Sequence, residues 1–303
     1  MTKAVLSSRV QESLERREYD YVDCAGIQSS FDIIAKSDDS ILLVKILYNV
    51  EGLTREAAAE LKRVSEAISA KPVVIGFKIK SSELQDDVVY ERYGIPVINH
   101  RTFDKILDDI QPPVYSIRGN YCIKINPERL SHLRRQRRMT QQNLADSLGV
   151  SKQSVYRYES TGHVSLDIAE RLEQVFSDDR LLLKGDIFEN AEESEEAAYP
   201  RGYTTELTKK VDTYLRRIGF KTSITNAPFD IIAKERKMIF SAISNDRNGI
   251  RKKMTVLNSV SDIMGGYPLC ISERRVKIET TILNPADFEG IRTPRQLFRI
   301  LVE

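Results

Sequence analysis

The chain has 303 residues, enough for two or three domains, and its apolar fraction of 41% is ordinary for a soluble globular protein. A net charge of only +2 excludes a uniformly basic chain, and the lack of a long apolar run or signal-peptide core leads us to expect a cytoplasmic protein without a membrane span. Three widely spaced cysteines and three scattered histidines argue against a disulfide framework or a zinc site, so we expect no metal and no cofactor.

The first hundred residues have the pattern of an α/β domain. LSSRVQESLERR, from Leu6, has one apolar stripe at helical spacing, and two short apolar strands follow at Phe31–Lys36 and Ile41–Ile46. LKRVSEAISAKPVVIG, from Leu61, then predicts a helix that breaks before a buried strand. IPVIN and RTFDKIL add a strand and a closing helix, so we expect a mixed sheet flanked by helices.

A short connector leads from this domain to a basic segment. Pro112 and Pro113 end the preceding helix, and VYSIRGNYCIKI alternates on both sides of RGN, which predicts a β-hairpin. Residues 127–157 then contain seven Lys or Arg against Glu128 and Asp146. This concentration of positive charge points to an anionic partner.

The basic segment divides into four predicted helices. Pro127 suits a first helical turn, and Leu130, Leu133 and the aliphatic part of Arg137 form one face. Thr140 caps a second helix that ends at Gly149. Ser151 caps the third helix, with Val155 inward, and Ser165 caps the fourth. The inward residues of that last helix are predicted to be Ile168, Ala169, Leu172, Val175 and Phe176.

The hexapeptide FDIIAK returns after an acidic stretch, GDIFENAEESEEAAY, which has the composition of a solvated linker. It occurs at Phe31–Lys36 and at Phe229–Lys234. LTKKVDTYLRR precedes the second copy, and MIFSAI and LNSVSDIMGGYPLCIS follow it, in the order found in the first hundred residues. Two duplicated α/β domains are therefore predicted, over roughly 6–110 and 205–303.

The sequence TQQNLADSLGVSKQSVYRYE resembles the Cro/C1 type of helix-turn-helix. This resemblance implies that residues 151–159 form a recognition helix in the major groove of DNA. It implies phosphate contact by Gln141 and Ser151, and an ion pair between Arg134 and Glu159 with a structural role. The side chains expected to meet bases or phosphates are Lys152, Gln153, Ser154, Arg157 and Arg138. A merely solvated polar face is the alternative for these residues.

The flanking α/β pattern resembles the restriction-endonuclease-like fold, in which an Asp and a Glu-x-Lys hold a divalent metal. The first copy has Asp32 and Lys45, but Leu43 stands in place of the second acid. The second copy has Asp230, with Phe240 and Ala242 at the other two positions. Both copies are thus degenerate, and no catalytic residue is expected unless Asp32 works with another acid such as Glu12.

The full arrangement resembles an archaeal family of HTH-type transcriptional regulators. We expect a non-enzymatic, homodimeric regulator of transcription that binds double-stranded DNA. The alternatives are a metal-dependent nuclease targeted by the helix-turn-helix, and a protein-interaction adaptor or antitoxin. The predicted domains are the degenerate nuclease-like domains, 1–111 and 204–303, the connector hairpin, 112–126, the helix-turn-helix domain, 127–185, and the acidic linker, 186–203. The sequence does not specify an effector.

Overall fold

The computed structural model describes residues 1–117, 120–178, 180–183, 186–188, 204–244, 247–273 and 280–302. Contacts group the chain into two compact units: unit 1 combines Met1–Val74 with Glu192–Glu303, and unit 2 is Ile75–Ala191. This division is coarser than the domain boundaries predicted from the sequence, which remain predictions. The centre of the predicted hairpin, Arg118 and Gly119, and the predicted linker from residue 189 onward lie outside the described residues.

The first segment of unit 1 has the predicted elements and one additional strand. They are α1 (Lys3–Glu15), β1 (Asp20–Asp23), β2 (Ile33–Lys36), β3 (Ile41–Asn49), a 3₁₀ turn (Val50–Gly52), α2 (Arg55–Ile68) and β4 (Lys71–Ile79). The division between the units falls within β4. β1, β2 and β3 are antiparallel neighbours, with Tyr21 opposite Ala35 and Ile34 opposite Leu43. β1 is absent from the sequence prediction because DYVD is short and half polar.

Unit 2 contains the connector hairpin and the helix-turn-helix. Its elements are β5 (Ser82–Glu83), β6 (Val88–Arg92), β7 (Ile95–Ile98), α3 (His100–Leu107), β8 (Val114–Ile117), β9 (Asn120–Lys124), α4 (Pro127–Gln136), α5 (Gln141–Leu148), α6 (Lys152–Thr161), β10 (His163–Val164) and α7 (Leu166–Phe176). The neighbouring strands run in the order β7-β6-β8-β9-β10, and only the pair β6–β8 is parallel. β8 and β9 form the two sides of the predicted hairpin.

The second segment of unit 1 repeats the order of the first. Its elements are α8 (Glu206–Arg217), β11 (Lys221–Ile224), β12 (Ile231–Lys234), β13 (Met238–Ile243), α9 (Arg247–Met264), β14 (Tyr267–Ile271), β15 (Ile282–Leu283), a 3₁₀ turn (Pro285–Gly290) and α10 (Pro294–Val302). β11, β12 and β13 are antiparallel, and β14 and β15 continue the sheet in parallel. Like β1, β11 is a short strand that the sequence pattern did not predict.

The two FDIIAK segments pack against each other inside unit 1. The rings of Phe31 and Phe229, both buried, have centroids 6.3 Å apart. The Ser30 amide donates to the Asn226 carbonyl at 3.0 Å, and the Asn226 amide donates to the Glu60 carboxylate at 2.6 Å. Burial raises the pKa of Glu60 more than the Asn226 amide and Arg63 lower it. The repeated segments therefore share one buried contact region within a single chain.

In the described part of the chain, no helix combines the length and the apolar character needed to cross a membrane.

Candidate nucleic-acid interface

The turn between α5 and α6 follows directly from its local sequence. Thr140 accepts a hydrogen bond from the Asn143 amide, and the Asn143 side chain accepts one from the Thr140 amide, which completes a capping box at the start of α5. Gly149 ends α5 with φ of 66°, a left-handed conformation that suits glycine. Ser151 caps α6 by accepting from the Ser154 amide at 3.1 Å. These caps fix where α6 begins and in which direction it runs.

α6 has one buried face and one exposed face. Val155 and Tyr158 lie in the helical core, at 0% and 5% exposure. Lys152, Gln153 and Arg157 are exposed, while Ser154 is half-buried with its hydroxyl 2.9 Å from that of Ser151. The exposed face of α6 therefore presents two cations and an amide, side chains that can donate hydrogen bonds to acceptors on base edges.

A buried ion pair holds α6 against α4. The Arg134 guanidinium donates to both carboxylate oxygens of Glu159, at 2.6 and 3.1 Å, and to the Met139 carbonyl at 3.0 Å. The Gln141 amide donates to the same carboxylate at 2.7 Å. Burial raises the pKa of Glu159, but the hydrogen bonds from Arg134 and Gln141 outweigh it, so the pKa is lowered. The carboxylate is thus held charged between α4, α5 and α6.

Gln141, which the family resemblance placed on a phosphate, has its side-chain amide committed to Glu159. A phosphate contact by Gln141 would therefore use its backbone N–H at the start of α5. Its side-chain amide could bind a phosphate only after breaking the hydrogen bond to Glu159. The same hydrogen bond gives Gln141 a structural role beside Arg134, which the sequence did not predict.

The positive charge of residues 127–157 is partly neutralised by acids outside that range. The Arg129 guanidinium forms a bidentate hydrogen bond with the Asp178 carboxylate, and Arg134 forms an ion pair with Glu159. Arg137 donates to the carbonyls of Val175 and Phe176 at the end of α7. Its aliphatic part was predicted to complete a face of α4, but Arg137 follows α4 as its C-cap and is exposed. In the described chain the remaining cations of this segment, all exposed, are Arg135, Arg138, Lys152 and Arg157.

Two further details of the helical domain differ from the sequence prediction. Ser165 stands at the N-cap of α7, but its side chain makes no cap hydrogen bond and donates instead to Asp167 at 2.5 Å. β10 was not predicted, yet His163 and Val164 pair with Lys124 and Ile123 of β9. This pairing joins the hairpin to the helix-turn-helix through two residues.

One exposed residue of α6 was missed by the sequence reasoning. The Tyr156 side chain is 64% exposed and belongs to the same face as Lys152 and Gln153. Its position one turn after Lys152 could have identified it, because residues four apart on a helix share a face.

The residues around Asp32 do not fit a divalent metal. One carboxylate oxygen of Asp32 accepts from Lys3 at 2.8 Å, and the other accepts from the Ile46 amide at 2.7 Å and lies 3.4 Å from Lys45. Leu43, at the position of the second acid, is fully buried. A divalent ion needs several oxygen ligands, and the Asp32 oxygens face ammonium and amide groups instead. Glu12, the other acid considered, is exposed on α1.

Asp230 has a similar environment in the second segment, although its lysine partner lies on α9. One oxygen accepts from the Ile243 amide at 2.6 Å, and the other accepts from Lys253 at 2.6 Å. Both Asp side chains therefore tie the residue before β2 or β12 to the neighbouring strand, with a lysine as counter-charge. Among the described residues, no group of three or more His, Cys, Asp or Glu side chains could hold a metal.

Comparison with known proteins identifies two regions of this chain. The profile of the PD-(D/E)XK superfamily domain matches residues 3–113, and a helix-turn-helix profile matches residues 130–177. The first range contains Asp32 and Lys45, and the second contains α6. No solved structure matches the chain.

Similar archaeal proteins extend over most of the chain, and each is named a "Putative HTH-type transcriptional regulatory protein". The relative from Archaeoglobus fulgidus is 32% identical over 92% of this chain and 91% of its own length. The relative from Pyrococcus furiosus is 36% identical over 78% of this chain and 75% of its own length. The relative from Natronomonas pharaonis is 28% identical over 100% of this chain and 99% of its own length.

Proposed function

Because the chain belongs to the archaeal family of HTH-type transcriptional regulatory proteins, as its sequence resemblance predicted, we propose that it binds double-stranded DNA and regulates transcription. The observation that carries the proposal is the N-terminal end of α6, where the side chains of Lys152 and Gln153 are exposed to solvent and the helix packs on a buried apolar core. Gln can pair with adenine through two hydrogen bonds, and Lys can donate to guanine or neutralise a phosphate. In this proposal α6 enters the major groove.

The remaining cations have a separate role in the proposed complex. Arg138 follows α4 with φ of 54°, and Arg135 is exposed in the last turn of α4. Cations outside the recognition helix contact the sugar–phosphate backbone, which sets affinity and salt dependence but not sequence preference. Ser151, Ser154 and Arg157 complete the proposed interface, where they would contact bases or phosphates along the first turns of α6.

A two-fold dimer would supply the specificity that one helix-turn-helix lacks. Two recognition helices would then lie about 34 Å apart, one turn of DNA, on a pseudo-palindromic site. The measurement is the mass of the protein–DNA complex on its best site. Two chains per site support this proposal, whereas one chain per site contradicts the dimer.

The experiment that tests the proposal is selection of bound fragments from random genomic DNA at about 0.15 M salt, a concentration at which nonspecific contacts are weakened. Gln153→Ala should relax base preference at one position of the selected site. Arg138→Ala should weaken binding to all sequences and reduce the salt dependence by about one phosphate contact. Equal loss on every sequence for both variants would contradict base reading by Gln153, and no enriched sequence would contradict the proposed function.

We further propose that the two α/β segments arose by duplication and serve assembly rather than cleavage. The support is their shared order of elements and the matching hydrogen bonds around Asp32 and Asp230.

The match to the PD-(D/E)XK domain favours nuclease activity as the second candidate function. Mg²⁺- or Mn²⁺-dependent cleavage of plasmid or branched DNA that Asp32→Ala abolishes would establish that second candidate. An adaptor would keep its protein partner after charge reversal at Lys152 and Arg157 and would not bind DNA in either form.

A further inference from the structure

Tyr156 is an aromatic side chain on the exposed face of α6 that the proposed contacts do not use. At 64% exposure it is the most exposed of the large aromatic side chains in the described part of the chain. No hydrogen bond, ring contact or ion pair involving it occurs among the described residues, and the helical core is formed by other side chains. Exposing a large aromatic surface to water is unfavourable, so packing within unit 2 does not account for the ring.

The neighbours of Tyr156 on α6 place it in the proposed groove-facing surface. Lys152 lies one turn before it, Gln153 three residues before it and Ser160 one turn after it, and all three are exposed. Helical residues three or four apart have Cβ atoms about 5–6 Å apart. Successive base pairs are about 3.4 Å apart, so Gln153 and Tyr156 would meet the same or adjacent base pairs.

The chemistry of the major groove narrows what such a ring can contact. Base edges there present hydrogen-bond donors and acceptors, and the thymine 5-methyl is their distinctive apolar group. A tyrosine ring offers an apolar body for that methyl and a hydroxyl that can stay hydrated or meet a phosphate. We propose that Tyr156 is a specificity-determining residue that packs against a thymine methyl, beside an adenine read by Gln153. This inference rests on the proposed function.

The test uses the DNA site selected with the full-length wild-type protein. Each thymine is replaced singly by deoxyuridine, which removes only the methyl group. The wild type should lose about fourfold in affinity at one or two positions of each half-site, the effect expected for burying one methyl group. Tyr156→Ala should bind thymine and deoxyuridine equally at those positions, while Tyr156→Phe, which keeps the ring, should still discriminate.

A matched control is Tyr93→Ala, another exposed tyrosine, 44% exposed and outside the helix-turn-helix. It should keep the wild-type response to deoxyuridine, and circular dichroism checks that all variants are folded. Wild-type indifference to deoxyuridine at every position, or unchanged discrimination by Tyr156→Ala, would overturn the inference while leaving DNA binding intact. Failure of the wild type to select any DNA would instead overturn the proposed function, and the inference with it.

Discussion

The ion pair between Arg134 and Glu159 gives a quantitative test of what holds α6 in place. The two side chains are only 11% and 9% exposed, so Glu159→Gln would leave the Arg134 guanidinium buried without its counter-charge. Removing one partner of a buried pair costs about 3–5 kcal/mol, and we expect about 3 kcal/mol because Arg134 keeps the Met139 carbonyl. Opening of α6 should become more than about 100-fold more frequent.

Hydrogen exchange is the suitable assay, because a chain with two compact units need not unfold in one step. The amides of α4 and α6 should lose protection in Glu159→Gln, while those of α8 and α9 in unit 1 keep theirs. The double variant Arg134→Met with Glu159→Leu should recover most of the loss, since apolar replacement of a whole buried pair is often close to neutral. A loss of α6 protection of less than about fivefold in Glu159→Gln, or a double variant as unstable as the sum of its single changes, would show that the ion pair does not hold α6.

The same pair predicts a pH dependence. Because the pKa of Glu159 is lowered in the folded state, its contribution to stability is fully present above the unfolded value, about 4.3. That contribution is lost as the pH falls through the lowered folded pKa. The difference in α6 protection between wild type and Glu159→Gln should therefore be constant above about pH 5 and shrink below pH 4. A difference that grows towards low pH would contradict this sign.

Three further predictions concern other parts of the chain. Gly162→Ala should destabilise the helical domain by about 2 kcal/mol in thermal unfolding, because Gly162 has φ of 66° and a Cβ there would lie 2.7 Å from the Ile125 carbonyl oxygen. The control is Gly52→Ala, where a Cβ meets nothing within 4 Å, and it should change stability by less than about 0.5 kcal/mol. Equal effects of the two substitutions would show that the close contact at Gly162 is not what matters. Asp230→Asn should lower the stability of unit 1 by about 2 kcal/mol in denaturant unfolding, because it loses the charge that binds Lys253 and the Ile243 amide. The control, Asp39→Asn at an exposed position, should leave stability unchanged in the same measurement. A neutral Asp230→Asn would show that this link does not stabilise the strand pair. The three cysteines should react with an aromatic disulfide reagent only after unfolding, because Cys24, Cys122 and Cys270 are all buried and burial raises the pKa of each thiol, that of Cys270 to about 11. Rapid labelling of the native protein at neutral pH would show that the structure around the thiols opens readily.

The parts of the fold that depend on local sequence could be predicted. Thr140, Gly149 and Ser151 define the ends of α5 and α6, because caps and left-handed turns are set by a few neighbouring residues. The periodic apolar residues placed α1, α2 and the strands of both FDIIAK segments. The Arg134–Glu159 ion pair was expected from the family resemblance, not from spacing, since its partners are 25 residues apart.

The features that the sequence did not reveal involve residues far apart in the chain. Asp178 neutralises Arg129 across 49 residues, and the sequence alone does not say which acid approaches a given arginine. β10 is too short to have a recognisable period, and its two residues pair with residues of β9 that lie about 40 positions earlier in the chain. The sequence also left open whether the repeated segments pair within one chain. Phe31 and Phe229 show an intrachain contact, which composition and spacing do not encode.

The function of Asp32 and Asp230 in the fold also needed three-dimensional contacts. The sequence gives no reason for an aspartate in both hexapeptides once the metal-binding pattern is incomplete. In each segment the carboxylate accepts a backbone amide of the next strand, from Ile46 or Ile243, and pairs with a lysine. In both segments the aspartate therefore links two neighbouring strands and has a lysine as its counter-charge.

Hydrogen exchange of the full-length protein, with and without its selected DNA fragment, measures whether α6 is the surface that contacts DNA. The added protection should be greatest in peptides covering residues 151–161 and in those containing Arg135 and Arg138. Peptides from α8 to α10 should be unchanged. DNA-induced protection confined to unit 1, with residues 151–161 exchanging as in the free protein, would show that α6 does not bind the DNA.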